Sequence, residues 1–282
     1  MILKICKLLF SIVMMLTPFL CHAKEKTYEL KVMSYNIRFG LADDGENSWQ
    51  FRCPATIEML SDQRPDIFGV QEALDFQLQY ITTKNSEYKC VGVGRGDGKT
   101  EGEFTSIFWN KNRIKLLKWG TFWLSETPDV PSMGWDAHYK RTATWALMKD
   151  KLSGKKFFYV NTHLDNRGKV AQANGLKLIL DRIGRINKCG YPMILTGDFN
   201  ITPDNLILSE LDTMMDSARN VAEKTDKHKT FNGWGKAKRD VIFDYIYIKG
   251  FTSCVEYHTI TEGYAGCVYI SDHYPIFARL LF

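Results

Sequence analysis

The 282-residue chain carries 37 Lys and Arg against 32 Asp and Glu, a formal net charge of +5, with 45% hydrophobic and 24% charged residues. That mild basic excess is not the balance of a dedicated nucleic-acid binder, and the length suffices for one large domain with a sizeable core. Its seven cysteines include no C-x-x-C spacing, so neither a cysteine-ligated zinc nor a disulfide scaffold is indicated.

Residues 1–23 have the pattern of a secretory signal peptide: a basic start "MILKICK", the apolar run "LLFSIVMMLTPFL" and a small residue, Ala23, before Lys24. The run is short and broken by Pro18, which argues against a membrane span. Leu20 stands before Cys21 where a lipoprotein signal has a small residue, so lipidation ranks behind cleavage after Ala23. Cleavage removes Lys4 and Lys7 and no acid, lowering the net charge from +5 to +3. Residues 24–282 then form one domain, with no repeat, low-complexity tract or linker. Of its cysteines, Cys254 and Cys267 could pair across a hairpin; buried free thiols are the alternative.

Residues 27–37 alternate like a strand, 53–63 ("CPATIEMLSDQ") look helical, and "DIFGV" (66–70) is a short apolar strand ending at Gln71 and Glu72. A helix follows in "ALDFQLQYI". The glycine-rich "GVGRGDGKT" (92–100) reads as a loop, since Val93 and Asp97 occupy positions where a phosphate loop or a dinucleotide fingerprint needs Gly. "TSIFWN", "TATWALMKD" and "KFFYVNTHL" are rich in aromatic and β-branched residues, and "KLSG" between the last two signals a hairpin. Residues 168–186 are helical, with Val170, Ala173, Leu176, Leu180 and Ile183 as the apolar stripe. In "PMILTGDFNITP" (192–203), a short strand ends at Gly197, and Thr202 and Pro203 read as an N-cap and first helical residue. Residues 239–248 and 271–282 are strands. Strands outnumber helices and several are hairpin-linked, which predicts an α+β sandwich of two packed sheets with helices outside.

Polar residues collect at the strand ends. Asp198 and Asn200, two apart on an extended chain, face one way while Phe199 faces the other. Asn36 and Glu72 end two earlier strands; Asn161, His163 and Asp165 share one side of another; Asp244 lies in an apolar run; Asp272 and His273 open the last strand. Singly, each has a plain structural explanation: a turn, a helix cap, a core histidine, or for Asn200 in "NIT" a chance glycosylation triplet. Asp244 resists this, because an unpaired carboxylate among Ile, Phe and Tyr is costly. Together they fit one shared site.

In this order, "SYNIR", "QE", "NTHLD", "TGDFN", "FDYIY" and "SDHYP" resemble the endonuclease/exonuclease/phosphatase superfamily, the deoxyribonuclease-I-like fold, from about residue 30 to residue 282. The resemblance implies a four-layered sandwich and a metal-dependent phosphoester hydrolase. It further implies that Glu72, with Asn36 and Asp272, holds Mg²⁺ or Mn²⁺, which all-oxygen ligands suit. By the same resemblance Asp198 activates water, Asn200, His163 and His273 donate to the phosphate, and Asp244 orients His273 and favours its charged form. Arg95, Lys99, Glu103 and Arg141 lie in segments that resemble secreted bacterial members and, more loosely, deadenylases. Arg141, with Arg95, is then the candidate substrate clamp; a surface ion pair is the alternative for Arg95 and Lys99. The substrate is open. A nucleic acid has only Trp234, Lys236, Lys238 and Arg239 as a local track. A membrane phospholipid would need Trp119, Phe122 and Trp123 exposed. A phosphoinositide is disfavoured because Ile201, Thr202 and Pro203 follow "GDFN" where inositol polyphosphate phosphatases show a longer arginine-bearing pattern. A small phosphoester, or a secreted binding module without activity, completes the choices, with a monomer as the default state.

Overall fold

Parallel strands that leave a sheet at one edge bring their C-terminal residues together there, and this protein does so twice. The computed structural model describes residues 27–282; the expected signal segment 1–23, with Cys21 and the expected start at Lys24, lies outside the described residues. In chain order the strands are β1 (Glu29–Asn36), β2 (Ile67–Gln71), β3 (Tyr88–Val91), β4 (Ile107–Asn110), β5 (Ile114–Trp123) and β6 (Thr142–Asp150). They continue as β7 (Lys156–His163), β8 (Met193–Asp198), β9 (Asp216–Ser217), β10 (Asp244–Lys249), β11 (Ser253–Thr259) and β12 (Ile276–Leu281). The helices are α1 (Trp49–Gln63), α2 (Asp75–Lys84), α3 (Lys169–Ile186), α4 (Ser209–Met214) and α5 (Ala218–Val221).

Two six-stranded mixed sheets result, one in the order β11-β12-β1-β2-β4-β3 and the other β5-β6-β7-β8-β10-β9. Each has one parallel pair at its centre, β1 with β2 and β7 with β8, and the remaining pairs are antiparallel. Leu30, Val32, Ile67, Tyr159, Ile194, Ile246 and Ile276 fill the space between the sheets. Met33, Tyr35 and Phe68 on the other face of the first sheet pack on Ala55, Met59 and Leu60 of α1 and Leu78 and Ile81 of α2. Leu176, Ile179, Leu180 and Ile183 of α3 cover Phe158, Val160 and Leu195 of the second sheet. The four layers expected from the sequence are therefore present, and among the described residues no helix is long and apolar enough to cross a membrane.

Several local readings are corrected. The buried stripe of α3 begins at Ala171 and runs through Leu176, Ile179, Leu180 and Ile183, leaving Val170 exposed. Helix α1 starts at Trp49 and carries Pro54 inside it; the Gln50 carbonyl that Pro54 cannot bond accepts the Cys53 thiol at 3.7 Å instead. Gly197 does not end β8 but lies within it, where any Cβ would overlap the Thr162 carbonyl of β7. Thr202 and Pro203 form a turn, and the next helical turn begins at Leu206, capped by the Asn205 side chain, which accepts from the Ile207 amide at 3.0 Å. Of the three aromatics on β5, Phe122 and Trp123 are buried and only Trp119 is exposed, so they do not form an exposed aromatic cluster. Cys254 and Cys267 are both free.

Candidate active site

The alternation that fills the inter-sheet core also builds the site. Val32, Ser34 and Asn36 follow one another along one face of β1; Tyr159, Asn161 and His163 do so on β7, and Ile194, Thr196 and Asp198 on β8. Each face changes from apolar to neutral polar to site residue as it nears the edge. The middle stage is a hydrogen-bonded layer between the sheets. Gln71 Nε2 donates to Asn161 Oδ1 at 2.6 Å, and Asn161 Nδ2 donates to the Val70 and Ser106 carbonyls at 2.8 and 3.0 Å. Gly69 is required here because a side chain would occupy the place of the Asn161 amide. Asn161 is thus a spacer between sheets rather than a member of the site.

Antiparallel strands start where these end. Asp244, first residue of β10, pairs with Asp198, the last of β8, and His273 stands just before β12. The carboxylate and imidazole that the sequence separates by 28 residues meet: Asp244 Oδ2 lies 2.8 Å from His273 Nδ1, and His273 Nε2 lies 3.6 Å from Asp198 Oδ2. The amides of Phe243 and Asp244 both donate to Thr230 Oγ1, which fixes the start of β10. Burial would lower His273, but Asp244, Asp198 and Asp272 outweigh it and hold the imidazole well above its ordinary value, hence charged.

Asp198 divides its two oxygens. Oδ1 accepts the Asn200 amide at 2.9 Å, an Asx turn, while Oδ2 accepts Asn36 Nδ2 at 3.0 Å and lies 3.5 Å from His163 Nε2. The turn and the chemical geometry therefore coexist in one residue. Burial pushes the carboxyl up to about 7, with His273 opposing and Asp244 and Glu72 adding to the rise. Asn200 Nδ2 lies 3.1 Å from both His163 Nε2 and the Leu164 carbonyl. Burial, then the charges of Arg141, Arg95 and His273, hold His163 well below its ordinary value, so it is neutral.

Glu72 Oε1 accepts Asn36 Nδ2 at 3.0 Å and Oε2 the Phe39 amide at 2.9 Å. Burial would raise this carboxyl, yet Asn36, His273, the Phe39 amide and Arg38 together keep it below its ordinary value. Arg38, Glu72 and Asn200 all have left-handed backbones, with φ of 65°, 63° and 52°. Such conformations cost roughly 1–3 kcal/mol each, and here they mark three chain turns at the strand ends. Glu72, His163 and Asp198 each present a donor atom within 4.8 Å of the others, as do Asp198, Asp244 and His273. The second group contains the charged His273 and is no cation site, whereas the first has two hard carboxylate donors and a neutral imidazole, which suit a divalent cation. Asp272 lines the same cavity, 3.5 Å from Arg38 Nη1. Asn36, fully buried, presents its amide nitrogen to Glu72 and Asp198, so it braces the carboxylates.

The cavity holds about 750 Å³, and Glu72, Asp198, Asn200, His163, Asp272 and His273 line it together with Arg95, Glu103 and Arg141. Asn36 and Asp244 stand behind the wall. Arg95 pairs with Glu103 at 2.7 Å within that wall, whereas Lys99 is exposed and away from it. Asp165 points elsewhere, accepting the backbone amides of His138, Tyr139, Arg167 and Gly168. Arg38, Phe39, Tyr139, Asn166, Phe231 and Phe243 also line the cavity. Sequence reasoning passed over these six. Arg38 in "SYNIR", Phe243 in "FDYIY" and Asn166 directly after "NTHLD" lie at or beside quoted motifs, and Phe39, Tyr139 and Phe231 sit in loops without periodicity.

The sequence model of the Endonuclease/Exonuclease/phosphatase family matches residues 33–273. A Bacteroides vulgatus endonuclease/exonuclease/phosphatase structure superposes with a TM-score of 0.84 at 35% identity, covering 90% of this chain and 98% of that one. The mannosyl-6-phosphatase of Bacteroides thetaiotaomicron superposes equally well, TM-score 0.84 at 30% identity, over 90% of this chain and 100% of its own. The 5'-tyrosyl-DNA phosphodiesterase of Caenorhabditis briggsae is 28% identical over 266 residues, 89% of this chain and 69% of that protein. The chain belongs to the endonuclease/exonuclease/phosphatase family of phosphoester hydrolases.

Proposed function

We propose that this protein is an exported, divalent-metal-dependent hydrolase of a small phosphoester. The observation that carries this is the convergence of Glu72, Asp198, Asn200, His163, Asp272 and His273 on one cavity, with Asp244 fixed behind His273 at 2.8 Å. A cavity of about 750 Å³ is of small-molecule size. In this reading Asp198 Oδ2 takes a proton from water, and a carboxyl pushed up to about 7 is matched to that task near neutral pH. The water oxygen bonds to phosphorus as the bond to the leaving oxygen breaks, and that oxygen takes a proton from solvent as it departs, while Asp198 later returns its own to solvent. Charged His273 donates from Nε2 to the phosphate oxygens while Asp244 holds Nδ1–H. Asn200 keeps one N–H on the Leu164 carbonyl and offers the other to phosphate, beside His163. Glu72 and Asp272, braced by Asn36 and Arg38, would hold Mg²⁺ or Mn²⁺, which supplies positive charge for the developing oxyanion. Arg95 and Arg141 complete the substrate-binding wall.

Two features favour a small substrate over a polymer. Arg52 lies 5.7 Å from the Trp234 ring, covering a stacking face, and Lys236, Lys238 and Arg239 are exposed without lining the cavity. The mannosyl-6-phosphatase at 30% identity acts, by its name, on a sugar phosphate. Assay of phosphomonoesters and phosphodiesters with Mg²⁺ and with chelator tests the proposal. Hydrolysis of a monoester that stops with chelator is expected; a protein that binds phosphoesters and cleaves none is a binding module, and the proposal fails.

A further inference from the structure

One wall of the cavity carries a group to which the hydrolase reading gives no specific partner. Arg141 is 5% exposed, and its Nε and Nη1 have no hydrogen-bond partner. Its nearest carboxylate partner, Asp165 at 3.6 Å, already accepts four backbone amides. A guanidinium withdrawn from water and left short of acceptors is unfavourable until an anion arrives. Arg95 lines the same wall. The two guanidinium carbons lie 5.1 Å (Arg95) and 5.5 Å (Arg141) from the ring of Tyr139, and Glu103 holds Arg95 in place at 2.7 Å. These positive groups are therefore ordered before any ligand binds. His273, Asn200 and His163 already offer donors to the scissile phosphate, and a cavity of about 750 Å³ exceeds what one phosphate fills.

We propose that Arg95, Tyr139 and Arg141 form a subsite for a second anionic group, so that the preferred substrate carries a phosphate or carboxylate besides the phosphate that is cleaved. This rests on the hydrolase reading and adds to it the class of substrate. The test compares glycerol phosphate, 3-phosphoglycerate and glycerol 1,3-bisphosphate as substrates of the full protein and of Arg141→Met. A charge-assisted hydrogen bond to a desolvated arginine corresponds to a KM lowered about 10- to 100-fold for the two doubly anionic esters. Arg141→Met should raise their KM by that factor more than it raises that of glycerol phosphate, and the ranking of the two esters tells carboxylate from phosphate. Equal KM values for all three esters overturn the proposal. So does an Arg141→Met effect of the same size on every ester, which would put Arg141 on the scissile phosphate. If Arg141→Met lowers the melting temperature, Arg95→Met reads the same subsite. Calorimetric titration of the same compounds into Asp198→Asn reads it without turnover. Absence of hydrolysis would overturn the hydrolase reading, while equal affinities in that titration would overturn this one.

Discussion

Asp198→Asn should make the protein more stable and nearly inactive. The Asp198 carboxyl is pushed up to about 7 from 3.8, chiefly by burial, which corresponds to about 4 kcal/mol against its charged form. The sign follows from proton uptake: because the folded-state value is raised, the native protein holds a proton that the unfolded chain releases between about pH 4 and pH 7. Stability falls across that window and stays at its lower level above it. Asparagine escapes this penalty and can still accept the Asn200 amide, now 2.9 Å from Oδ1. Its NH₂ would face Asn36 Nδ2, now 3.0 Å from Oδ2, a donor against a donor costing about 1–3 kcal/mol. The net gain at pH 8 is about 1–3 kcal/mol, or roughly 2–12 °C in Tm for a domain of this size; near pH 4, where the native carboxyl is itself neutral, only the donor–donor cost remains and the variant should be the less stable by about 1–3 kcal/mol. Loss of the base should lower kcat about 10²- to 10⁴-fold. Thermal melts of chelator-treated protein at both pH values, with kcat at saturating Mg²⁺, check both parts. A variant with a lower Tm at pH 8 and near-native kcat would make Asp198 a turn residue only.

Asn200→Ala should cut kcat roughly 10²- to 10³-fold with little change in KM, since its donor acts on charge that builds in the transition state; steady-state kinetics decide it. Asp244→Asn removes a charge that helps hold His273 well above its ordinary value. The stability from that charged imidazole is present below its unfolded value and lost as pH rises through the folded one. The alkaline limb of kcat/KM, measured from pH 5 to 10, should therefore move to lower pH in Asp244→Asn. Intact mass of protein from the native host should correspond to a chain beginning at Lys24; retention of residues 1–23 would contradict export by cleavage, and a modified Cys21 would show lipid anchoring.

The layers and the site were legible for one reason: alternation along a strand is a property of the chain itself. Once β1, β7 and β8 are recognised, the sides of Asn36, His163 and Asp198 follow. Their convergence needed the parallel pairing of β1 with β2 and β7 with β8, which no local pattern states and which the resemblance supplied. Asp165 was misplaced because the strand period was carried past His163, where β7 ends and the carboxylate turns to bind the amides before α3. Gly197 reads as the end of a strand in the sequence because the Thr162 carbonyl that demands it belongs to another strand. The α3 stripe was out of phase because both Val170 and Ala171 are apolar, and only packing decides between them. The arginine–tyrosine stack depends on loops on either side of β5, whose approach no spacing encodes.

Titrating Mg²⁺ into chelator-stripped native protein and Glu72→Gln, with phosphate release from a monoester as readout, asks whether the strand-end cluster is a metal-dependent hydrolytic site. Glu72→Gln keeps the side chain's shape and removes a ligand charge. Native protein should be inactive until Mg²⁺ is added, and the variant should need at least about 10-fold more Mg²⁺ for half-maximal rate, the effect of weakening a hard oxygen donor. Hydrolysis that survives the chelator, or identical Mg²⁺ curves for the two proteins, would contradict the assignment.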